Sequence, residues 1–419
     1  MIGVDQALDQ VARAARGAGT LGVETVPLSE AAGRVLRQEV AADRDMPPFT
    51  RSAMDGYAVR AADTARAPVR LEVVEAIPAG TGPSRAVGPG QASRIMTGAP
   101  LPEGADAVQM VEKTSSASPG EVTVLEPVVA GDHVRLKGED LRQGEVLLRS
   151  GAFLGPAAIA LLASAGRSTV AVSRRARVAI VPTGDELVPV EAEPGPAQIR
   201  ESNGHALAAL VSESGGEPLR HAALPDSLPE LTEGLRRALA GADLLLVSGG
   251  VSMGDYDLVG EALRGAGCSS LFTRVAIQPG KPLYFGNTGA PAPRLVFGLP
   301  GNPVSTVVDF LVFVRPALRL LSGAAGWRDE TFPARLAAPI DRRPGRRAYL
   351  PAVRRVEGEA LQVELLASRG SADMVSLCRA DCLVIIPEDA SRLEAGAAVR
   401  ALPLVWPGRS ATAPPPGAR

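Results

Sequence analysis

Aromatic side chains are scarce in this chain: 8 Phe, 4 Tyr and 2 Trp make up 3% of its 419 residues. So thin a supply argues against the stacked aromatic platforms that hold single-stranded nucleic acid. An excess of one charge is also missing. The 44 basic and 46 acidic residues leave a net charge of −2, so no global field draws the chain toward nucleic acid or an acidic membrane. Only 3 cysteines and 3 histidines occur. That small, odd cysteine count gives no disulfide framework and points to a reduced compartment. Cys378 and Cys382 have no histidine near them in sequence, which argues against a zinc site. No apolar run approaches membrane-spanning length, and the opening VDQALDQVARAARG has the pattern of an amphipathic helix without an apolar signal core. The expectation is a soluble, cytoplasmic protein.

What is present is ordinary for a globular chain: 46% apolar and 21% charged residues. The length exceeds one core, so about two to four domains are expected. The 36 prolines and 45 glycines lie between apolar runs and mark turns. Val4, Leu8 and Val11 recur at helical spacing, and ETVPLSEAAGRVL predicts a strand or turn and then a second helix. Residues 1–45 together with 135–176 are expected to form a discontinuous helical linker domain around an inserted β-rich domain, 46–134. Residues 177–325 alternate apolar strands with helices, which predicts a doubly wound parallel α/β domain. Ser227-Leu228-Pro229-Glu230 has capping-box spacing at one helix start. Residues 326–408 alternate at period two, like a small β-barrel, and 409–419 are expected to be a disordered tail. The fold class is thus multidomain α/β plus β.

The chain is organised around DLLLVSGGVSMGDYDL, Asp243 to Leu258. Leu244–Val247 is a continuous apolar run, the mark of a strand buried on both faces. Ser248-Gly249-Gly250 breaks it, and Ser252, Gly254, Asp255 and Asp257 follow ahead of a helical pattern. Ligands of open α/β sheets bind outside the carboxyl ends of strands. Glycine amides and paired carboxylates there suit phosphate and a divalent cation. A strand–turn–helix whose aspartates are only caps accounts for this one stretch equally well.

Three further strand ends add to it: Thr183-Gly184-Asp185-Glu186, Gln278-Pro279-Gly280-Lys281 and Leu299–Pro303. Asn302 and Pro303 read as the N-cap and first residue of a long helix. Each loop is bland alone; Asp185-Glu186 could be solvated acids and Lys281 a surface charge. Together they predict magnesium-dependent binding or transfer involving a phosphorylated small molecule.

The stretches MPPFTRSAMDGYAV, MTGAPLPEGADAV, PTGDELV, SNGHALAAL, SGGVSMGDYD, QPGKPLYFG and GLPGNPVS closely resemble, in order, the molybdopterin molybdenumtransferase or MoeA family, which includes the gephyrin E domain. The resemblance covers nearly the whole chain. It implies an enzyme that inserts molybdate, as substrate, into adenylyl-molybdopterin with Mg²⁺ and releases AMP. It also implies a homodimer whose cleft lies between the α/β domain of one subunit and the β-rich module of the other. By matching positions, Glu186, Asp255 and Asp257 would hold Mg²⁺ or orient the attacking group, and Asp226 is a further functional acid. Asp55 and Thr97 would reach across the dimer, and Lys281 would stabilise the pyrophosphate or molybdate. Thr183, Gly249, Gly250, Ser252, Gly301 and Asn302 would cradle the substrate. Molybdopterin adenylyltransferase and molybdoenzyme apoproteins are the implied partners, with no nucleic acid and no membrane.

Some positions depart from the family pattern. Gln278 stands where many members have a second lysine, and Arg200-Glu201 replaces a more usual Tyr-Asp. Pro351 stands where many have an arginine, so Arg346 or Arg347 would serve instead, beside the retained Gly370-Ser371. These changes bear on anion affinity more than on reaction class. A relative that only adenylylates molybdopterin would lack the MDGYA loop and the Met96–Pro100 turn, both present here. A non-catalytic molybdopterin-binding scaffold and a tungstate-selective insertase are the other readings.

Overall fold

The computed structural model describes residues 1–116, 120–250, 258–328, 331–358 and 360–404. Ser252, Asp255, Asp257 and the 409–419 tail therefore lie outside the described residues. The chain divides into two compact units. One comprises Met1–Gln38, Ser150–Pro156 and Thr169–Arg419; the other comprises Glu39–Arg149 and Ala157–Ser168.

In the larger unit the opening helix, Val4–Ala18, buries Val4, Ala7, Val11, Ala12 and Ala15. The expected second helix does not form. After the strand Val23–Pro27 there is only a 3₁₀ turn, Leu28–Glu30. Gly33 then takes φ +76°, and Val35 and Leu36 bridge to Phe153 and Val172 as extended chain. Backbone pairing with distant segments overrides a weak helical pattern.

The α/β sheet of this unit contains β1 (Arg177–Pro182), β2 (Glu217–Arg220), β3 (Leu244–Ser248), β4 (Cys268–Arg274), β5 (Pro282–Thr288) and β6 (Leu295–Leu299), in the order β2-β1-β3-β6-β5-β4. The first four in that order are parallel, as predicted. β5 pairs antiparallel with both β6 and the edge strand β4. Only seven residues separate β4 from β5, far short of the dozen or more that a parallel crossover requires.

All of β3 is buried. Leu244 and Leu246 join one core cluster, with Ile180, Phe297 and the helix α1 (Asn203–Glu213). Leu245 and Val247 join the other, with the helices α2 (Leu228–Ala240) and α3 (Leu258–Gly265). One run of leucines thus fills both layers, because side chains alternate across a strand. Ser227 does occupy the N-cap of α2, but its side chain makes no capping hydrogen bond. Pro229 sits at the second helical position and removes one amide that a capping hydroxyl would use.

The helix after β6 runs from Pro303 to Leu321 in three parts: α4 (Pro303–Asp309), a π segment Phe310–Val314, and α5 (Arg315–Leu321). Pro316 has no amide for the ordinary helical ladder, and the widened turn ends two residues before it.

Near the C-terminus, five strands close a barrel: Arg347–Glu357, Ala360–Leu365, Phe332–Leu336, Ala398–Pro403 and Cys382–Ile386, the last pairing back onto the first. Small and β-branched residues such as Ala348, Ala352, Val363, Val384 and Ala401 fill it. The smaller unit holds a six-stranded sheet that includes Gly56–Val59 and Gln91–Ile95. Gly56 is required there, since a Cβ would stand 1.9 Å from the Gln109 carbonyl oxygen.

Candidate active site

Three of the four strand-end loops are tied together at the carboxyl end of the sheet. The Thr183 amide donates to the Ser248 carbonyl at 2.9 Å, and the Gly249 amide to the Leu299 carbonyl at 3.1 Å. Asn203, the first residue of α1, completes the join. Its Nδ2 donates to Ser248 Oγ at 2.9 Å and to the Gly301 carbonyl at 2.8 Å. Asn203 lies within a recognised stretch but was not among the predicted site residues. Its signals in sequence are its place in SNGHALAAL and at a helix start.

Glycine geometry fixes the floor of this rim. Gly249 and Gly250 have φ of +99° and +66°, in the left-handed region that only glycine takes cheaply. A Cβ on Gly249 would fall 2.5 Å from the Thr183 carbonyl oxygen, and one on Gly250 2.4 Å from Val259 Cγ2. Thr183 is buried and its Oγ1 has no hydrogen-bond partner among the described residues. An orphaned hydroxyl at a strand's carboxyl end is a group that a ligand can satisfy.

The acids collect beside the first loop. The Gly184 amide donates to the Leu224 carbonyl at 3.1 Å, and the Asp226 amide to Asp185 Oδ1 at 3.1 Å. Asp226 is thereby held next to Asp185 and Glu186. Its carboxyl pKa is raised, first by desolvation and then by repulsion from Asp185 and Glu186. Among the described residues no group of three or more His, Cys, Asp or Glu side chains is placed to hold a metal ion. The three acids Asp185, Glu186 and Asp226 do repel one another, and a positive charge brought near them would relieve that repulsion.

The fourth loop brings the cations. Ile277-Gln278 pairs with Arg347-Ala348 at the barrel's edge. Arg342, which sequence reading missed, donates from Nη2 to Gln278 Oε1 at 3.3 Å and to the Arg346 carbonyl. Its pKa is lowered by desolvation and by the Arg346 guanidinium, with Glu388 opposing. Two crowded guanidiniums beside the turn that carries exposed Lys281 suit an oxyanion. Arg347 is otherwise engaged, in ion pairs with Asp5 at 2.8 Å and Glu388 at 3.1 Å. Of the two arginines proposed in place of Pro351, Arg347 is thus held in ion pairs within the chain. Gly301 and Asn302 lead into α4, where Asn302 is the N-cap without a side-chain capping bond. The Val304 amide donates to the Ser371 carbonyl at 3.0 Å, which places Ser371 at that helix start.

In the smaller unit, Asp55 and Thr97 meet. Asp55 Oδ1 accepts from the Thr97 amide at 2.6 Å and from Thr97 Oγ1 at 2.7 Å. These two bonds lower the carboxyl pKa, so Asp55 is a firmly ionised acid.

A β-rich module, an α/β sheet with carboxylates and glycine amides gathered at its strand ends, and a closed barrel define a multidomain protein with a candidate site at the sheet's carboxyl edge. Comparisons with known proteins narrow this. Residues 2–166 match the MoeA N-terminal region (domain I and II), residues 179–320 a "Probable molybdopterin binding domain", and residues 333–404 the MoeA C-terminal region (domain IV). The chain is 39% identical to a molybdopterin molybdenumtransferase of Nostoc sp., covering 91% of this chain and 88% of the relative. It is also 39% identical to molybdopterin molybdenumtransferase 2 of Mycobacterium tuberculosis, covering 89% and 93%. A crystal structure of the molybdopterin biosynthesis moeA protein from Pyrococcus horikoshii OT3 superposes with a TM-score of 0.77 at 32% identity, covering 96% and 100%. The chain belongs to the MoeA family of molybdopterin molybdenumtransferases, and it is a transferase of molybdenum cofactor biosynthesis.

Proposed function

We propose that the chain inserts molybdate into the dithiolene of adenylyl-molybdopterin and releases AMP, in the cytoplasm and as a homodimer. The observation that carries this reading is the convergence, on one rim of the larger unit, of the Thr183–Glu186, Ser248–Gly250 and Leu299–Pro303 loops. Thr183, Gly249, Gly250, Ser252, Gly301 and Asn302 would seat the pterin phosphate, using backbone amides and the orphaned Thr183 hydroxyl. Glu186, with Asp255 and Asp257, would hold Mg²⁺, which supplies Lewis-acid polarisation of pyrophosphate oxygens when bound.

Lys281, with Arg342 and Arg346 nearby, would bind the molybdate dianion and offset charge that builds up during transfer. Asp226, crowded by Asp185 and Glu186, would lie near the phosphoryl oxygens, and Ser371 would line the approach. Asp55 and Thr97 would enter the site of the partner subunit. No cysteine nucleophile is required, since the sulfurs arrive on the substrate. Molybdopterin adenylyltransferase would supply that substrate, and apo-molybdoenzymes would accept the product.

The test is AMP release by the purified full chain given adenylyl-molybdopterin and Mg²⁺, with molybdate, with tungstate or with neither. Stimulation by molybdate and loss of AMP release in Asp257→Ala are expected. An unstimulated wild type would sink the transferase reading in favour of a scaffold, and a tungstate preference would reassign the metal.

A further inference from the structure

Asp309 ends α4 inside the larger hydrophobic core. It is 0% exposed, and neither carboxyl oxygen has a hydrogen-bond partner among the described residues. Its surroundings are apolar: Val308 and Phe310 flank it, and Ile277 and Leu283 belong to the same core cluster. One backbone group does approach. A Cβ built on Gly280 would fall 2.2 Å from Asp309 Oδ1 and 2.6 Å from its Cγ, so the carboxyl lies flat against the Gly280 Cα. Gly280 also holds φ +108°, and Lys281 is the next residue. The π segment starts at Phe310, immediately after Asp309, and such widened turns gather at functional positions.

The sites of charge around it are few. The elements packed most extensively on α4 are α1, the short helix Met374–Arg379, β6 and the π segment, and the turn against Asp309 itself carries Lys281 beside Gly280. Their titratable groups are His205 and Glu213 on α1 and Cys378 and Arg379 on the short helix; β6 and the π segment carry none. None of these forms a hydrogen bond or ion pair with Asp309 among the described residues. Burial alone pushes its pKa well above the ordinary aspartate range. An unpaired carboxylate at such a site would carry a heavy desolvation penalty, so the side chain sits there un-ionised.

We propose that Asp309 is a positioning residue: its side chain is the floor on which the Gln278–Lys281 turn rests, and it sets where the Lys281 ammonium is presented. This rests on the reading of Lys281 as an anion-binding group. In the protonated state the carboxyl packs against Gly280 as a flat neutral group. On ionisation the new charge seeks water or a donor, and the turn whose Gly280 backbone lies against it is the cover it would displace. Raising the pH should therefore loosen the turn and weaken oxyanion binding. Asp309→Asn keeps the shape and stays neutral at every pH.

Two measurements on the full chain test this, comparing wild type, Asp309→Asn and Lys281→Ala across the whole pH range, from mildly acid to alkaline, in which the chain stays folded. In amide hydrogen exchange, the peptide holding Gly280 and Lys281 should be equally protected in wild type and Asp309→Asn at the lower pH. At the higher pH it should lose protection about tenfold in wild type alone. In calorimetric titration with molybdate, wild-type affinity should fall about tenfold over the range while Asp309→Asn changes less than about threefold. Parallel exchange profiles for the two proteins overturn the proposal, whatever the titration shows. Molybdate binding unchanged in Lys281→Ala overturns the reading of Lys281 instead, and the exchange result still decides the role of Asp309. Where Asp309→Asn does not fold, Asp309→Ser, also permanently neutral, takes its place.

Discussion

Asp226 is a residue whose ionisation should be visible in solution. Desolvation and the nearby charges of Asp185 and Glu186 raise its pKa, so the folded chain favours the protonated form. That contribution to stability is complete below the ordinary aspartate value of about 3.9, and it is lost as pH rises through the raised value. At neutral pH the ionised group opposes folding. Asp226→Asn should therefore melt above wild type at pH 7, with the difference vanishing in acid. Added Mg²⁺ should narrow the gap at neutral pH; a gap indifferent to both pH and Mg²⁺ would refute the crowding argument. Arg342 gives a second test. Replacing it with Gln removes one of two mutually repelling guanidiniums beside Gln278. Molybdate affinity should fall about tenfold, as for loss of one charge-assisted contact, while the melting temperature holds or rises. Asp243 belongs to structure. It accepts from Arg174 at 2.7 Å through both oxygens and from the Arg177 amide at 2.8 Å. Asp243→Ala should cost about 1–2 kcal/mol by chemical denaturation, less than a fully buried pair because Arg174 is partly exposed.

At the scale of the element, β3 shows how a short run serves both core and site. Leu246 is 0% exposed, and Leu246→Ala should cost about 2–5 kcal/mol through lost burial and the cavity left behind. The denaturation midpoint should drop without a change in slope. Two residues beyond the strand's end, the constraint is of another kind. Gly250→Ala drives a methyl to 2.4 Å from Val259 Cγ2 at a positive φ, and should cost about 1–3 kcal/mol. Substrate binding should fall further than that loss of stability explains, because the Thr183 hydroxyl is displaced as well. Thermal melts and ligand titrations on the same variant separate the two effects.

For the whole molecule, the proposed dimer makes a prediction that single-chain chemistry does not. If Asp55 serves the partner's site, Asp55→Ala and Glu186→Ala subunits are each inactive alone, yet a mixed dimer holds one intact site. Mixing and reassociating the two variants should recover up to about a quarter of wild-type AMP release. No recovery in dimers shown to be mixed would place both residues in one subunit's site, or Asp55 in none.

The sequence by itself determined the layers and the punctuation. The apolar run Leu244–Val247 could only be a strand covered on both faces, and glycines and prolines marked where the loops had to turn. It also carried the family, because the residues of each motif are contiguous in the chain. Tertiary structure alone decided what distant segments do to one another. Arg342 reaches a glutamine 64 residues away, and Asn203 clamps a carbonyl 98 residues away. Asp309 reads in the sequence as the one acid of a long helix, and nothing local says that it will lie unpaired beneath Gly280. Local patterns report which face of an element is buried, since periodicity follows from backbone geometry. They do not report which groups burial brings together, since that depends on the packing of elements whose sequences are independent of each other.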